Sequence, residues 1–167
     1  LEGIKITLTP IGFDQLPHAN FTRDIASRMK FSLPSFTFHK LIPGLQGPTT
    51  KMSSSKKESY IDFSDNESTV KHKINKYAFS GGQPTLEEHK KKGGNPDIDV
   101  SFQYLKMLLE EDDKKLQQIH DDYKSGKLST GELKAYTIKK INEFLTNHQK
   151  AREKAKNKIG EFLFKEK

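Results

Sequence analysis

Cysteine is absent from the 167 residues of this chain. Its absence excludes disulfides, thiolate nucleophiles and cysteine-based zinc sites, and it is typical of proteins from a reducing compartment. No apolar run approaches the roughly 20 residues of a bilayer span, and the first residues lack the basic and apolar regions of a signal peptide. We therefore expect a cytoplasmic protein.

Charged residues are abundant and positive charge is in excess. Charged residues make up 31% of the chain, hydrophobic residues 32%, and the formal net charge is +7. This composition indicates a soluble, mostly helical protein of one medium or two small domains. Residues 150–167 alone carry seven Lys or Arg against three Glu. The positive field favours an anionic partner such as nucleic acid, a phosphate ligand or an acidic membrane.

The composition of the sequence changes near residue 65. The part before it contains Pro, Gly and short apolar runs. The alternation of Ile4, Ile6 and Leu8 predicts a strand over 4–12. A helix is expected over 14–30 and a second strand over 34–43, so this part predicts two parallel strands joined by a crossover helix. The helix positions expected to face inward are Phe21, Ile25 and Met29.

The second part contains three candidate capping boxes, which predict helix starts. They lie at Ser64–Glu67, Thr85–Glu88 and Ser129–Glu132. Apolar stripes at helical spacing predict a helix bundle. The positions expected to be buried are Val70, Ile74, Tyr77, Ala78, Ile98, Phe102, Leu105, Leu109, Leu116, Ile119, Leu133, Thr137, Ile141 and Leu145. Two segments rich in Gly and Pro, 79–97 and the stretch around Gly126, should be turns, with a short helix inside the first.

The stretch "GPTTKMSSSKKES" (47–59) joins the two parts and has few apolar residues to attach it to a core. A loop rich in hydroxyls and lysines beside a sheet edge suits the binding of a polyphosphate, because hydroxyls and amides donate to its oxygens while Lys51, Lys56 and Lys57 supply charge. A solvated linker has the same composition, and composition alone favours it.

A resemblance decides between these interpretations. "TKMSSSKK" resembles the KMSKS signature of class I aminoacyl-tRNA synthetases in its KMSSS form, and "PIGFDQLPHANFTRDIASR" is similar to the Asp-Gln segment and following helix of tryptophanyl-tRNA synthetases. The runs "INKYAFSGGQPTLEEHKKKGGNPDIDVSFQYL" and "DDYKSGKLSTGELK" resemble the eukaryotic and archaeal type of that family. The resemblance extends from about Ile4 to about Arg152, which makes it far more specific than the short signature.

The resemblance implies an α/β part followed by an all-α part. Residues 1–62 would be the C-terminal part of a Rossmann-type catalytic domain with the KMSSS loop, and residues 63–167 a helical-bundle anticodon-binding domain. The family's His-Ile-Gly-His type motif, most of its tryptophan pocket and its dimer contacts belong to an earlier half that this sequence lacks. We therefore expect a C-terminal fragment of a longer enzyme.

The resemblance also implies a chemistry for the loop. In this family the tryptophan carboxylate attacks the α-phosphorus of ATP, and tryptophan then passes to tRNA(Trp). Lys51, Ser53 and Ser54 would be the catalytic residues that act on the phosphates, with ATP and Mg²⁺ as cofactors. Ser54 replaces the second lysine of the longer signature, so that Lys51, helped by Lys56, would carry the charge. The expected ATP-binding residues are Asp14, Gln46, Gly47, Lys51, Met52, Ser53, Ser54 and Ser55.

Asp14 and Gln15 occupy the positions of the family's Asp-Gln pair. By the resemblance, Gln15 would contact the tryptophan amino group and Asp14 the nucleotide ribose. Asp14 also stands where an N-cap of the following helix is expected, and both roles are compatible.

The expected anticodon contacts are Lys76 and Gln83. Some members of the family have Arg-Asp where this chain has Gln83 and Pro84, so their base contacts do not transfer directly. Lys90–Lys92 could contact RNA or be a solvated face. The histidines have no metal-ligand spacing, so no metal site is expected, and they are interpreted as surface or cap residues.

The function expected from the resemblance is that of a tryptophan–tRNA ligase, with tRNA(Trp), tryptophan and ATP as partners, no membrane partner, and a homodimer for the full-length enzyme. The chain alone is expected to be inactive. Two alternatives remain open: a helical tRNA-binding module without catalysis, and a non-catalytic protein-interaction fragment.

Overall fold

The computed structural model describes residues 7–162. Contacts within the chain divide it into two compact units, one ending at Leu41 and one beginning at Ile42. Ile4 and Ile6 of the predicted first strand lie outside the described residues.

The first unit is a strand, a helix and a strand. Strand β1 (Leu8–Gly12) is followed by a 3₁₀ turn (Phe13–Gln15), helix α1 (Leu16–Arg28) and strand β2 (Ser35–His39). The strands pair in parallel, in a register that runs from Leu8 opposite Ser35 to Gly12 opposite His39. The predicted parallel pair with its crossover helix is confirmed.

The buried face of α1 differs from the predicted one. Ala19 and Ala26, seven residues apart and therefore on one helix face, are 3% and 8% exposed. The positions expected to face inward are exposed to 65% at Phe21, 41% at Ile25 and 57% at Met29. The predicted helix is confirmed, but the predicted buried face is wrong, because the small side chains of Ala19 and Ala26 occupy the buried positions.

The second unit is helical. Its elements are a 3₁₀ turn (Lys57–Ser59), α2 (Glu67–Tyr77), α3 (Leu86–Lys92), α4 (Val100–Tyr104) continuing into a π-helical turn (Leu105–Leu109), α5 (Asp113–Lys124), α6 (Thr130–Lys156) and α7 (Ile159–Phe162). The short helix between two loops is the predicted arrangement for 79–97. Gly126, with φ of +80°, lies in the hinge between α5 and α6 as expected.

Two clusters form the core of this unit. One joins α2, α4 and the middle of α6, and the other joins α4, its π-helical continuation, α5 and the start of α6. The stripe predicted on α6 is buried at all four positions, which are Leu133, Thr137, Ile141 and Leu145. Ile98 is 38% exposed, so its predicted burial is wrong, because it precedes the N-cap of α4 and has no helical face to share.

The three predicted capping boxes have different outcomes. Ser129 and Glu132 form a complete box. At the second site only half of the box forms: the Thr85 hydroxyl accepts from the Glu88 backbone amide at 3.2 Å. The box at Ser64 is wrong, since the N-cap of α2 is Asn66, whose side chain accepts from the Thr69 amide at 2.9 Å.

Ser129→Ala is expected to lower the free energy of unfolding of the chain by about 1 kcal/mol, because it removes the side-chain acceptor of the Glu132 amide. Ser64→Ala is the matched control, since the Ser64 hydroxyl donates to Asp62 and caps no helix. Urea unfolding followed by circular dichroism measures both. Equal losses in the two variants would contradict the assignment of the cap.

Candidate functional site

The segment after β2 folds around two glycines. The Gly44 amide donates to the Thr50 carbonyl at 2.8 Å, and the Thr50 hydroxyl donates to the Gly47 carbonyl at 2.8 Å. A Cβ at Gly44 would lie 3.0 Å from the Thr50 hydroxyl and 3.2 Å from the Lys51 backbone. This turn leads the chain into Lys51 in a fixed direction. Gln46 is exposed and Gly47 is buried.

The KMSSS loop (51–55) is closed by one buried serine. Ser59 is 3% exposed, and its hydroxyl accepts from the Ser53 amide at 3.0 Å. The Ser53 and Ser55 hydroxyl oxygens are 2.9 Å apart. The exposed members of the loop are Lys51, Ser54 and Ser55. The loop therefore exposes an ammonium group and hydroxyl groups at the surface, and these are donors suited to phosphate oxygens.

Met52 attaches this loop to the helical unit, although the loop has few apolar residues. Met52 is half-buried and packs against the cluster that contains Leu45. It lines an apolar cavity of about 260 Å³ together with Ile42, Ile61, Phe63, Tyr104, Leu108, Leu109, Ile141, Phe144 and Leu145. This packing explains why the compact units divide after Leu41 and not at residue 62. A functional division at 62 stays a prediction.

Asp14 and Gln15 follow the carboxyl end of β1. The Gln15 amide donates to the Asp14 carboxylate at 3.1 Å, and both side chains are exposed. The N-cap residue of α1 is Gln15, without a side-chain cap, so the interpretation of Asp14 as a helix cap is wrong. A Cβ at Gly12 would lie 2.6 Å from the Asp14 carboxylate. Glycine at this position therefore lets the carboxylate lie against the strand end.

The residues expected to contact tRNA have different environments. Lys76 is exposed in the last turn of α2, with its Nζ 5.3 Å from the centre of the Tyr77 ring. Gln83 is half-buried before α3, and its side-chain amide donates to the Gly93 carbonyl at 3.0 Å. Lys90–Lys92 are exposed on α3. Lys76 is thus accessible to a ligand, whereas the amide of Gln83 is engaged within the protein.

A buried polar network close to Gln83 was missed by sequence reasoning. Asp99 is fully buried, and one of its carboxylate oxygens accepts from the Gly81 amide and from the Tyr123 hydroxyl, both at 2.8 Å. His89, interpreted as a surface or cap residue, is only 2% exposed, and that interpretation was wrong. An Asp just before the apolar run "VSFQYL" signals an N-cap, but nothing local signals its burial.

Residues 7–162 contain no group of three His, Cys, Asp or Glu side chains placed to hold a metal ion. Over the same residues, no helix combines the length and apolar character needed to cross a bilayer.

Comparison with known proteins gives a consistent result. The family model of class I tRNA synthetases (W and Y) matches residues 3–146. The tryptophan–tRNA ligase of Sulfurisphaera tokodaii is 50% identical over 157 residues, which cover 94% of this chain and 41% of that protein. The cytoplasmic tryptophan–tRNA ligase of Schizosaccharomyces pombe is 48% identical over 147 residues, covering 88% and 37%.

Solved structures agree with the sequence relatives. The tryptophanyl-tRNA synthetase from Giardia lamblia superposes with a TM-score of 0.83 at 41% identity, covering 89% of this chain and 37% of that one. The chain spans about two fifths of the length of the curated relatives that it matches.

Proposed function

Since this chain belongs to the class I tRNA synthetases of the tryptophan and tyrosine group, we propose that it is part of a tryptophan–tRNA ligase, which activates tryptophan with ATP and transfers it to tRNA(Trp). The observation that carries the proposal is 50% identity to a tryptophan–tRNA ligase across 94% of the chain. The family model covers tryptophan and tyrosine enzymes alike, so the choice of tryptophan rests on the relatives.

The chain has the class I synthetase fold, and we assign its two parts different tasks. Residues 1–62 complete a Rossmann-type catalytic domain, and residues 63–167 form the anticodon-binding domain. Support comes from the parallel strand pair and from the large apolar side chains that the first unit exposes, among them Leu8, Phe13, Phe21 and Phe31. Apolar side chains of this size are expected where further elements of a larger sheet pack.

The proposed reaction needs positioning and charge stabilisation, and no protein nucleophile. The tryptophan carboxylate attacks the α-phosphorus of ATP, the bond to pyrophosphate breaks, and tryptophanyl-adenylate forms. A ribose hydroxyl at the 3′ end of the tRNA then displaces AMP. Lys51 stabilises the negative charge that moves onto pyrophosphate, while Ser53 and Ser54 donate to phosphate oxygens. The exposed ammonium and adjacent hydroxyls of the loop fit this task.

The same proposal assigns the remaining contacts with ATP and tryptophan and the binding of Mg²⁺. Gln46, Gly47, Met52 and Ser55 would complete the ATP contacts, with Asp14 toward the ribose and Gln15 toward the tryptophan amino group. Mg²⁺ would be held mainly by the ATP phosphates, because this ion is usually bound through substrate phosphates and only one or two carboxylates.

The helical unit would recognise tRNA(Trp). Lys76, exposed and cationic, suits a phosphate or base contact, and the turn that holds Gln83 is the proposed anticodon-reading segment. We further propose a homodimer for the complete enzyme and a cytoplasmic location, the latter because the Schizosaccharomyces pombe relative is named as cytoplasmic.

The 167-residue chain alone is expected to give no tryptophan-dependent exchange of pyrophosphate into ATP, because the matched relatives are more than twice its length and part of the site would be missing. The complete protein is expected to give rapid exchange. The assay compares both at equal concentration. Exchange by the isolated chain would refute the division of the active site, and none by the complete protein would favour a non-catalytic tRNA-binding or interaction role.

A further inference from the structure

We propose that Asp99 and Tyr123 are positioning residues that fix the Ser80–Gln83 turn in the orientation that meets the anticodon of tRNA. The inference rests on the proposed function, because it takes this turn to be the RNA-reading segment. It adds two residues that need not touch RNA and that act through the backbone of the turn.

The Asp99 carboxylate has two separate tasks. One oxygen accepts from the Ser101 amide at 2.9 Å and the Phe102 amide at 3.3 Å, which caps α4. The other accepts from the Gly81 amide and the Tyr123 hydroxyl, both at 2.8 Å. A serine or asparagine would suffice for the cap. The second oxygen therefore serves to connect the turn to α4 and α5.

The Tyr123 hydroxyl is the centre of the network. It lies 3.2 Å from the Thr130 hydroxyl at the start of α6 and 3.4 Å from the Ser80 hydroxyl in the turn. Burial, followed by the neighbouring Asp99 charge, raises the pKa of Tyr123 to about 12, so the hydroxyl keeps its proton at neutral pH and donates it to the carboxylate. A phenylalanine would fill the same space but would leave these three groups without their common partner.

The turn is closely packed at its two glycines. A Cβ at Gly81 would lie 1.9 Å from the Asn95 carbonyl, and one at Gly82 would lie 2.1 Å from the Thr130 hydroxyl. The Gln83 backbone N–H donates to His89 Nδ1 at 3.4 Å, and the Gln83 side-chain amide donates to the Gly93 carbonyl. The turn is thus held from α3, α4, α5 and α6 at once. Loss of one bond at its base shifts the groups that it presents to a ligand.

A lysine of α6 holds the backbone just before the turn. Lys134 on α6 donates to the Ala78 carbonyl at 3.0 Å, just before the turn. Burial lowers the pKa of Lys134, and the charge of Asp99 acts in the opposite direction.

The test compares Tyr123→Phe with Tyr136→Phe in the complete enzyme. Tyr136 is the matched control, because its hydroxyl also donates to a carboxylate, that of Glu110, but contacts no part of the turn. Tyr123→Phe is expected to raise the KM for tRNA(Trp) in aminoacylation by about 5- to 20-fold, with tryptophan-dependent ATP–pyrophosphate exchange unchanged. Tyr136→Phe should leave both unchanged. Asp99→Asn, which keeps the size of the side chain, is expected to raise the same KM at least as much.

The outcomes separate the two proposals. Equal KM values for tRNA in the two Tyr variants, or a parallel loss of exchange in Tyr123→Phe, would overturn the positioning role. Failure of the unsubstituted complete enzyme to charge tRNA(Trp) would overturn the proposed function and this inference together. If Tyr123→Phe does not fold, Asp99→Asn decides: an unchanged KM for tRNA there overturns the inference, and an insoluble Asp99→Asn assigns both residues to folding instead.

Discussion

Replacing Lys51 with alanine in the complete synthetase is expected to slow tryptophan-dependent ATP–pyrophosphate exchange by about 100- to 1000-fold. In the proposed reaction the ammonium would act on charge that develops as pyrophosphate leaves, so its contribution would be larger in the transition state than in the bound substrates. The equilibrium affinity for tryptophan should change by less than about twofold. Single-turnover rates and equilibrium dialysis with tryptophan measure the two quantities.

A matched control for Lys51 is Lys71→Ala, which removes an exposed lysine from α2, outside the KMSSS loop. This variant should leave exchange unchanged, because the loss is attributed to the position of the charge and not to net charge. Parallel losses of exchange rate and tryptophan affinity in Lys51→Ala would contradict the assigned role. So would equal effects of the two lysine variants.

Gly93→Ala is expected to lower the free energy of unfolding of the chain by about 3 kcal/mol. Gly93 ends α3 with φ of +72°, in the left-handed region that a side chain disfavours. An added Cβ would also lie 1.8 Å from the Lys124 carbonyl at the end of α5, so that α3 and α5 would have to separate. Urea unfolding followed by circular dichroism gives the loss.

Gly131→Ala tests whether that loss is specific to position. Gly131 lies in the first turn of α6, and an added Cβ there would meet no atom within 4 Å. The substitution is expected to stabilise the chain by about 0.5 to 1 kcal/mol, because alanine loses less entropy in a helix. A destabilisation in both variants, or in neither, would contradict the close packing of α3 on α5.

Local patterns predicted the elements and one buried face correctly. The α6 stripe was predicted in full because Leu133, Thr137, Ile141 and Leu145 repeat at one helical spacing and all face the core. On α1 the same reasoning chose Phe21, Ile25 and Met29, whereas the buried positions are Ala19 and Ala26. Periodicity identifies a helix, but it does not say which of two faces other elements will cover.

Only part of the geometry around the candidate site depends on contacts between residues that are close in sequence. The turns that close the KMSSS loop join residues a few positions apart, such as Ser53 and Ser59. Met52 instead packs on a cluster whose members Ile141 and Leu145 come from α6, far along the chain. The partners of Asp99 at Gly81 and Tyr123 lie 18 and 24 residues away, so no short pattern contains the network.

The proposed function depends above all on which amino acid the complete protein activates. It is tested most directly by measuring ATP–pyrophosphate exchange and tRNA charging by the complete protein with tryptophan and, in parallel, with tyrosine. Tryptophan is expected to support exchange and to be transferred to tRNA(Trp), and tyrosine is expected to support neither. Exchange with tyrosine but not with tryptophan, or with neither amino acid, would contradict it.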